Sequence, residues 1–192
     1  MTTPRMPVTA LLGTNMFFSG VTYAATMPYA SLVGVDTLGM SPGWFATVMA
    51  MGSVLGTIVS LLLGYISDKL PDRRVLVLLT ALGGMTAHGL IYLWPTQAGF
   101  TIAMGLLMPL GFACFSQGFA YVRVYYSKHN PARADFMVTA LRTVFTIAWV
   151  VVPPLAGWVA AESSIFDVYL ASSLSYAAIG IIFLLLMSDK AT

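Results

Sequence analysis

The 192-residue sequence predicts an all-α polytopic membrane protein with six transmembrane helices in one domain, residues 1–192. Three observations lead there. Hydrophobic residues make up 58% of the chain, charged residues only 8%, and mean hydropathy is +0.85, where a soluble domain carries about 25% charged side chains. Six apolar stretches each approach the roughly 20 residues that cross a hydrocarbon core. Lysine and arginine fall at the two ends of the chain and in or beside alternate gaps between those stretches.

Span 1, near 8–34, follows Arg5 and carries Asn15, Ser19, Thr22 and Thr26 at helical spacing, with Tyr23 beside them. Such a polar stripe faces protein or water rather than lipid. Interhelical hydrogen bonds suffice for the hydroxyls, whereas Asn15 and Tyr23 are candidates to line a solute cavity. A small-residue site near Ala24-Ala25 resembles a weak signal-peptide cleavage point, but five further spans already supply membrane insertion. Span 2, near 42–66, opens at Ser41-Pro42-Gly43 and repeats Gly52, Gly56, Ser60 and Gly64 every fourth residue. Small residues at that spacing let helix backbones approach closely, either within the chain or across an interface. Span 3, near 74–94, ends at Trp94-Pro95 and holds His88, which has no second ligand at metal-binding spacing.

Span 4, near 98–125, aligns Ala113, Gln117 and Tyr121, with Pro109 one turn earlier. Gln117 lies mid-span with both donors and acceptors to satisfy. Span 5, near 137–160, follows Asn130-Pro131 and sets Arg142, Phe145 and Trp149 on one face, with Ala140, Val144 and Ala148 as small or slender residues. A donor-only guanidinium beside a flat indole fits a hydroxylated ring. The alternatives are that Arg142 snorkels or pairs with Asp135, and that Trp149 fills core. Span 6 lies near 167–187. Late in span 2, Leu62-Leu63-Gly64-Tyr65-Ile66 echoes Leu155-Ala156-Gly157-Trp158-Val159 of span 5, a spacing that maps spans 1–3 onto spans 4–6 as an inverted repeat.

Orientation follows from the basic residues. Arg5 precedes span 1; Lys69, Arg73 and Arg74 fill the second gap; Lys128 and Arg133 fill the fourth; Lys190 follows span 6. Arg123 and Arg142 flank the fourth gap, and the odd-numbered gaps hold neither Lys nor Arg. Both termini are therefore expected in the cytoplasm of a cell with the chain in its inner (plasma) membrane. A net charge of +2 spread this way indicates no nucleic-acid partner. Cys114 stands alone, so no intrachain disulfide or cysteine metal cluster is available. Asp36, Asp68, Asp72, Asp135, Glu162, Asp167 and Asp189 all fall at or near span ends. No catalytic set, metal site or cofactor fingerprint emerges, and an enzyme is not expected.

Residues 64–74, Gly-Tyr-Ile-Ser-Asp-Lys-Leu-Pro-Asp-Arg-Arg, concentrate five charges between two apolar spans. A charge at the bilayer centre costs about 3 kcal/mol or more, so this hinge marks a membrane face. It resembles the loop between helices 2 and 3 of the major facilitator superfamily, with Gly64, Asp68, Lys69, Arg73 and Arg74 matching and Pro71 where a second glycine is usual. The resemblance implies that Asp68 caps a helix of the opposite half while the basic residues latch the outward-open state, and a carboxylate is favourable at a helix N-terminus. A second match, Ala148 to Gly157 with Pro153 at its centre, looks like the Gly-Pro motif of helix 5 in facilitator antiporters, with Val152 in place of glycine. The segment from Leu141 to Ala156 is similar to bacterial sugar efflux transporters of that superfamily. The basic residue common in helix 4 of many facilitators is replaced here by the region of Gln117.

The resemblance implies half of a twelve-helix facilitator, the N-terminal six. Gly52, Gly56, Ser60, Ala148, Pro153 and Gly157 are then interface residues, and Asn15, Tyr23, Gln117, Arg142 and Trp149 face the solute. The expected assembly is a homodimer, or a pairing with a separate C-terminal half, in membrane lipid. The expected activity is alternating-access export of sugars or related small polar solutes. The competing reading is a non-transporting membrane subunit or remnant.

Overall fold

The computed structural model describes residues 8–188; Arg5, Asp189 and Lys190 lie outside the described residues. The chain forms α1 (Val8–Ala24), α2 (Pro42–Ser67), α3 (Arg74–Leu93), α4 (Gln97–His129), α5 (Ala134–Glu162) and α6 (Ile165–Ser188). Five of them, α2 to α6, are long and apolar enough to cross a membrane. The first span does not run as one helix to residue 34. Pro28 has no N–H to continue the ladder, so the chain passes through a 3₁₀ turn at Met27–Tyr29 and a π-helical segment at Leu32–Thr37.

Proline also shapes α4 and α5. In α4 a π-helical segment, Ala103–Leu107, precedes Pro109, a widening that accommodates the missing donor. In α5 the helix continues through Pro153 and Pro154, and Tyr29 donates a 2.8 Å hydrogen bond to the Pro153 carbonyl. Between α1 and α2, Gly39 sits at φ 69°, where a side chain is strained. Gln97 Nε2 holds that turn by donating to the Leu38 and Gly39 carbonyls, each at 3.0 Å.

Packing centres on α3, which lies against both α6 and α4. Gly84 receives the Tyr176 ring, Gly83 receives Leu110, and Gly111 lies against the Gly84 backbone. Without a hydrophobic effect between helices in lipid, such close approach supplies the dispersion contact that holds the bundle. α2 leans on α4, and α5 leans on α1. At the first crossing Gly52 faces the Met104 carbonyl, and at the second Gly20 faces Ala148 and the Phe145 carbonyl. The outcome is uneven burial: 22% of the apolar window of α2 and 17% of that of α5 are buried, against 50%, 56% and 44% for α3, α4 and α6.

Candidate functional site

The hinge is organised by two ion pairs. Asp68 caps the C-terminus of α2 and accepts from Arg73 at 2.9 Å. Asp72 accepts from the Arg74 backbone N–H and from Arg74 Nε, both at 2.9 Å, which fastens the start of α3. The Arg74 hydrogen bond holds the Asp72 carboxyl below the usual carboxylate range. Arg74 also donates to the Leu186 carbonyl at 2.6 Å, tying the hinge to the end of α6. Lys69 lies 4.0 Å from the centre of the Tyr65 ring and contacts its hydroxyl. Gly64 has open space where a Cβ would stand.

The interface residues expected from the sequence divide by helix. Gly52 and Gly56 face Met104 and Phe112 of α4 in the same chain. Ala148 is buried against Gly20, Gly157 faces the Tyr29 hydroxyl, and Pro153 accepts from that hydroxyl. Intrachain packing therefore occupies these five. Ser60 and Gly64 instead border an open groove of about 700 Å³ between α2 and α4.

The solute-facing residues divide as well. Asn15 is fully buried, with neither amide atom hydrogen-bonded. It looks onto Gly118 of α4, where a Cβ would stand 3.3 Å from its Nδ2. Tyr23 donates to the Phe112 carbonyl at 2.9 Å and stacks on the Phe112 ring at 6.0 Å, so its hydroxyl is used in fixing α1 to α4. Gln117 is 5% exposed, its Oε1 has no hydrogen-bond partner, and it lines the groove. Arg142 is exposed on α5 and makes no ion pair with Asp135. Trp149 is 41% exposed. Phe145, between them in sequence, contacts Phe115 of α4 at a ring separation of 4.2 Å. α4 and α5 thus meet through an aromatic contact flanked by these two exposed side chains.

The remainder of the polar stripe on the first span belongs to the scaffold. Thr22 donates to the Ser19 carbonyl at 2.8 Å. Thr26 lies 3.3 Å from His88 Nε2, and His88 Nδ1 lies 2.9 Å from the Gly84 carbonyl. A carbonyl only accepts, so Nδ1 carries the proton and Nε2 is an acceptor facing the Thr26 hydroxyl, which also lies 3.3 Å from the Thr22 carbonyl. Tyr169 and Tyr176 flank this imidazole at 5.8 and 5.5 Å. Sequence reading missed Ser53, Thr57, Phe112 and Ser116, which line the groove with Gln117. Ser53, Thr57 and Ser60 recur at helical spacing, but the neighbouring glycines masked that signal.

Among the described residues, an all-helical bundle with five helices long and apolar enough to cross a membrane and a charged hinge defines a multi-pass membrane protein. The chain belongs to the Major Facilitator Superfamily, whose family model matches residues 2–153. A Deinococcus radiodurans protein, whose name assigns it provisionally to sugar efflux, is 33% identical over 92% of this chain. Sugar efflux transporter C of Escherichia coli is 30% identical over 86% of the chain, and sugar efflux transporter B of Salmonella typhimurium is 28% identical over 86%. The matched stretch is 45%, 42% and 42% of those three proteins, so the chain spans less than half their length.

Proposed function

We propose that the chain is one six-helix half of a facilitator-type exporter of sugars or related small polar solutes, working by alternating access as a homodimer in the inner membrane. The observation that carries this reading is the pair of bare helices. α2 exposes Val54, Ile58, Leu61 and Tyr65, and α5 exposes Ile147, Val150, Leu155 and Trp158. In a symmetric pair α2 of one copy lies against α5 of the other, with Asp68 approaching the start of the partner's α5. The relatives, about twice as long, support a second half in that position.

The inverted three-plus-three repeat belongs to the same proposal. Exchanging α1, α2 and α3 for α4, α5 and α6 leaves the principal packing unchanged: α2 on α4 becomes α5 on α1, and α3 still pairs with α6. This symmetry supports a sixth crossing made by α1 with its 3₁₀ and π-helical continuation. Alternation of the basic residues supports cytoplasmic termini. Within the solute path, Asn15, Gln117, Arg142 and Trp149 meet the solute, while Tyr23 positions Phe112 at the groove.

Mass measurement in native-like lipid, joined to flux of labelled sugars from proteoliposomes, tests the reading. A mass of two copies with measurable flux is expected. A monomer that moves no sugar, with or without a pH gradient, overturns it in favour of a non-transporting subunit. Flux that appears only with a separate C-terminal half replaces the homodimer with that partner.

A further inference from the structure

The contact between α2 and α4 loosens along α2. Gly52 is pressed on the Met104 carbonyl, Gly56 meets only the Phe112 side chain, and Gly64 meets nothing. The widening gap is the groove of about 700 Å³, a volume within the range of roughly 300–1,000 Å³ typical of small-ligand sites. Its hydrogen-bonding chemistry is set by what its hydroxyls already do. Ser53 donates to the Met49 carbonyl at 2.9 Å, Thr57 to the Ser53 carbonyl at 3.0 Å, and Ser116 to the Ala113 carbonyl at 2.9 Å. Each has its one proton committed to helix backbone and turns lone pairs outward. Gln117 adds an unpartnered Oε1 on a side chain that is 5% exposed. A buried amide oxygen left this way costs about 1–3 kcal/mol until something donates to it.

Among the described residues, no Asp, Glu, Lys, Arg or His lines the groove. We propose that it is a subsite for an uncharged polyhydroxylated ring, whose hydroxyls donate to Gln117 and to the oxygens of Thr57 and Ser116, with Phe112 against the ring C–H groups. An anionic counterpart, a uronate or a sugar phosphate, finds no cation among the described lining residues to offset its desolvation. The proposal rests on the transporter reading and deepens it: it names the face of the solute that is recognised and the charge state that is refused.

The test uses the full chain in two formats. In proteoliposomes, labelled methyl glucoside is compared with glucuronate and glucose 6-phosphate; in detergent, calorimetric titration measures methyl glucoside binding directly. Wild-type protein is expected to favour the neutral sugar by roughly tenfold or more. Gln117→Leu is expected to weaken its binding about tenfold, the equivalent of one lost hydrogen bond. Thr57→Val, an exposed and nearly isosteric change, is expected to weaken it about threefold. A thermal midpoint no lower than that of wild type in both variants shows that the fold survives. Binding of the anions as tight as that of methyl glucoside, or unaltered binding in both variants, overturns the subsite. Binding with the expected losses but no flux upholds the subsite while removing the transporter reading, and flux insensitive to both substitutions does the reverse.

Discussion

Where α3 meets α6 the helix backbone is closely covered, whereas the hinge end of α2 is bare. Gly84 takes the Tyr176 ring, yet Gly64 meets nothing within 4 Å. The amide and imidazole groups also differ between the two regions. At the α3–α6 seam both ring nitrogens of His88 are engaged, by Thr26 and by the Gly84 carbonyl. Where α1 faces α4, Asn15 has neither amide atom engaged, and Gln117 leaves Oε1 unpaired. A satisfied polar group rigidifies a bundle, and an unsatisfied one is a standing cost. The seam is not wholly satisfied, since the Tyr169 hydroxyl and Ser172 Oγ of α6 are also buried without a partner. What separates the two regions is backbone contact, together with the two unpaired amides where α1 and α4 meet and at the groove.

The strongest way to break this contrast is to add one methyl group on each side of it. Gly84→Ala drives a Cβ into a fully buried tyrosine ring that has little room to retreat. Overpacking of this kind costs about 1–3 kcal/mol, so a marked drop in thermal midpoint and in monodisperse yield is expected. Gly64→Ala, facing open space, is expected to stay within about 0.5 kcal/mol of wild type. Equal losses in the two variants refute the division.

The amides sharpen the contrast by sign. Asn15→Val removes a buried group whose hydrogen bonds are unmade, and the expected result is a gain of about 1 kcal/mol in stability accompanied by loss of sugar flux. Thr26→Val removes a made bond to His88 and is expected to cost about 0.6 kcal/mol, the average for such bonds between membrane helices. Thermal unfolding in detergent reads both. Destabilisation by Asn15→Val returns that residue to the scaffold.

This division explains what the sequence could and could not show. The spans were legible because only internally hydrogen-bonded helices cross lipid, and the expected 42–66 and 74–94 differ by one residue from Pro42–Ser67 and Arg74–Leu93. The break after Ala24 was missed because an apolar run continues past Pro28 and hides the lost donor. Periodicity reveals which residues share a face but not what that face meets. Gly52 and Gly64 therefore look alike in sequence, and only the tilt of α2 against α4 tells them apart. Tyr23 and Gln117 likewise read as equal candidates until the Tyr23 hydroxyl is found on the Phe112 carbonyl.

The smallest effect on the fold is expected at the hinge, where the two carboxylates can be set against each other. The Asp68 side chain is 75% exposed in its pair with Arg73, and exposed pairs contribute about 0–1 kcal/mol. Asp68→Asn is therefore expected to leave the thermal midpoint in place. If Asp68 serves a second half, flux or dimer mass falls all the same. Asp72 belongs to the fold, since it accepts from the Arg74 N–H at the start of α3 and grips an Arg74 side chain that also holds α6. A carboxyl held below its usual range contributes stability above its unfolded pKa and loses it as pH falls through the folded value. Acidification toward that value is thus expected to loosen the tie between hinge and α6, seen as faster amide exchange at the start of α3, and Asp72→Asn is expected to abolish most of that pH dependence. Asp68→Asn should leave it intact. Were Asp68→Asn to unfold the hinge while sparing flux, the two carboxylates would exchange roles, and the open face of α2 would lose its charged anchor to a partner.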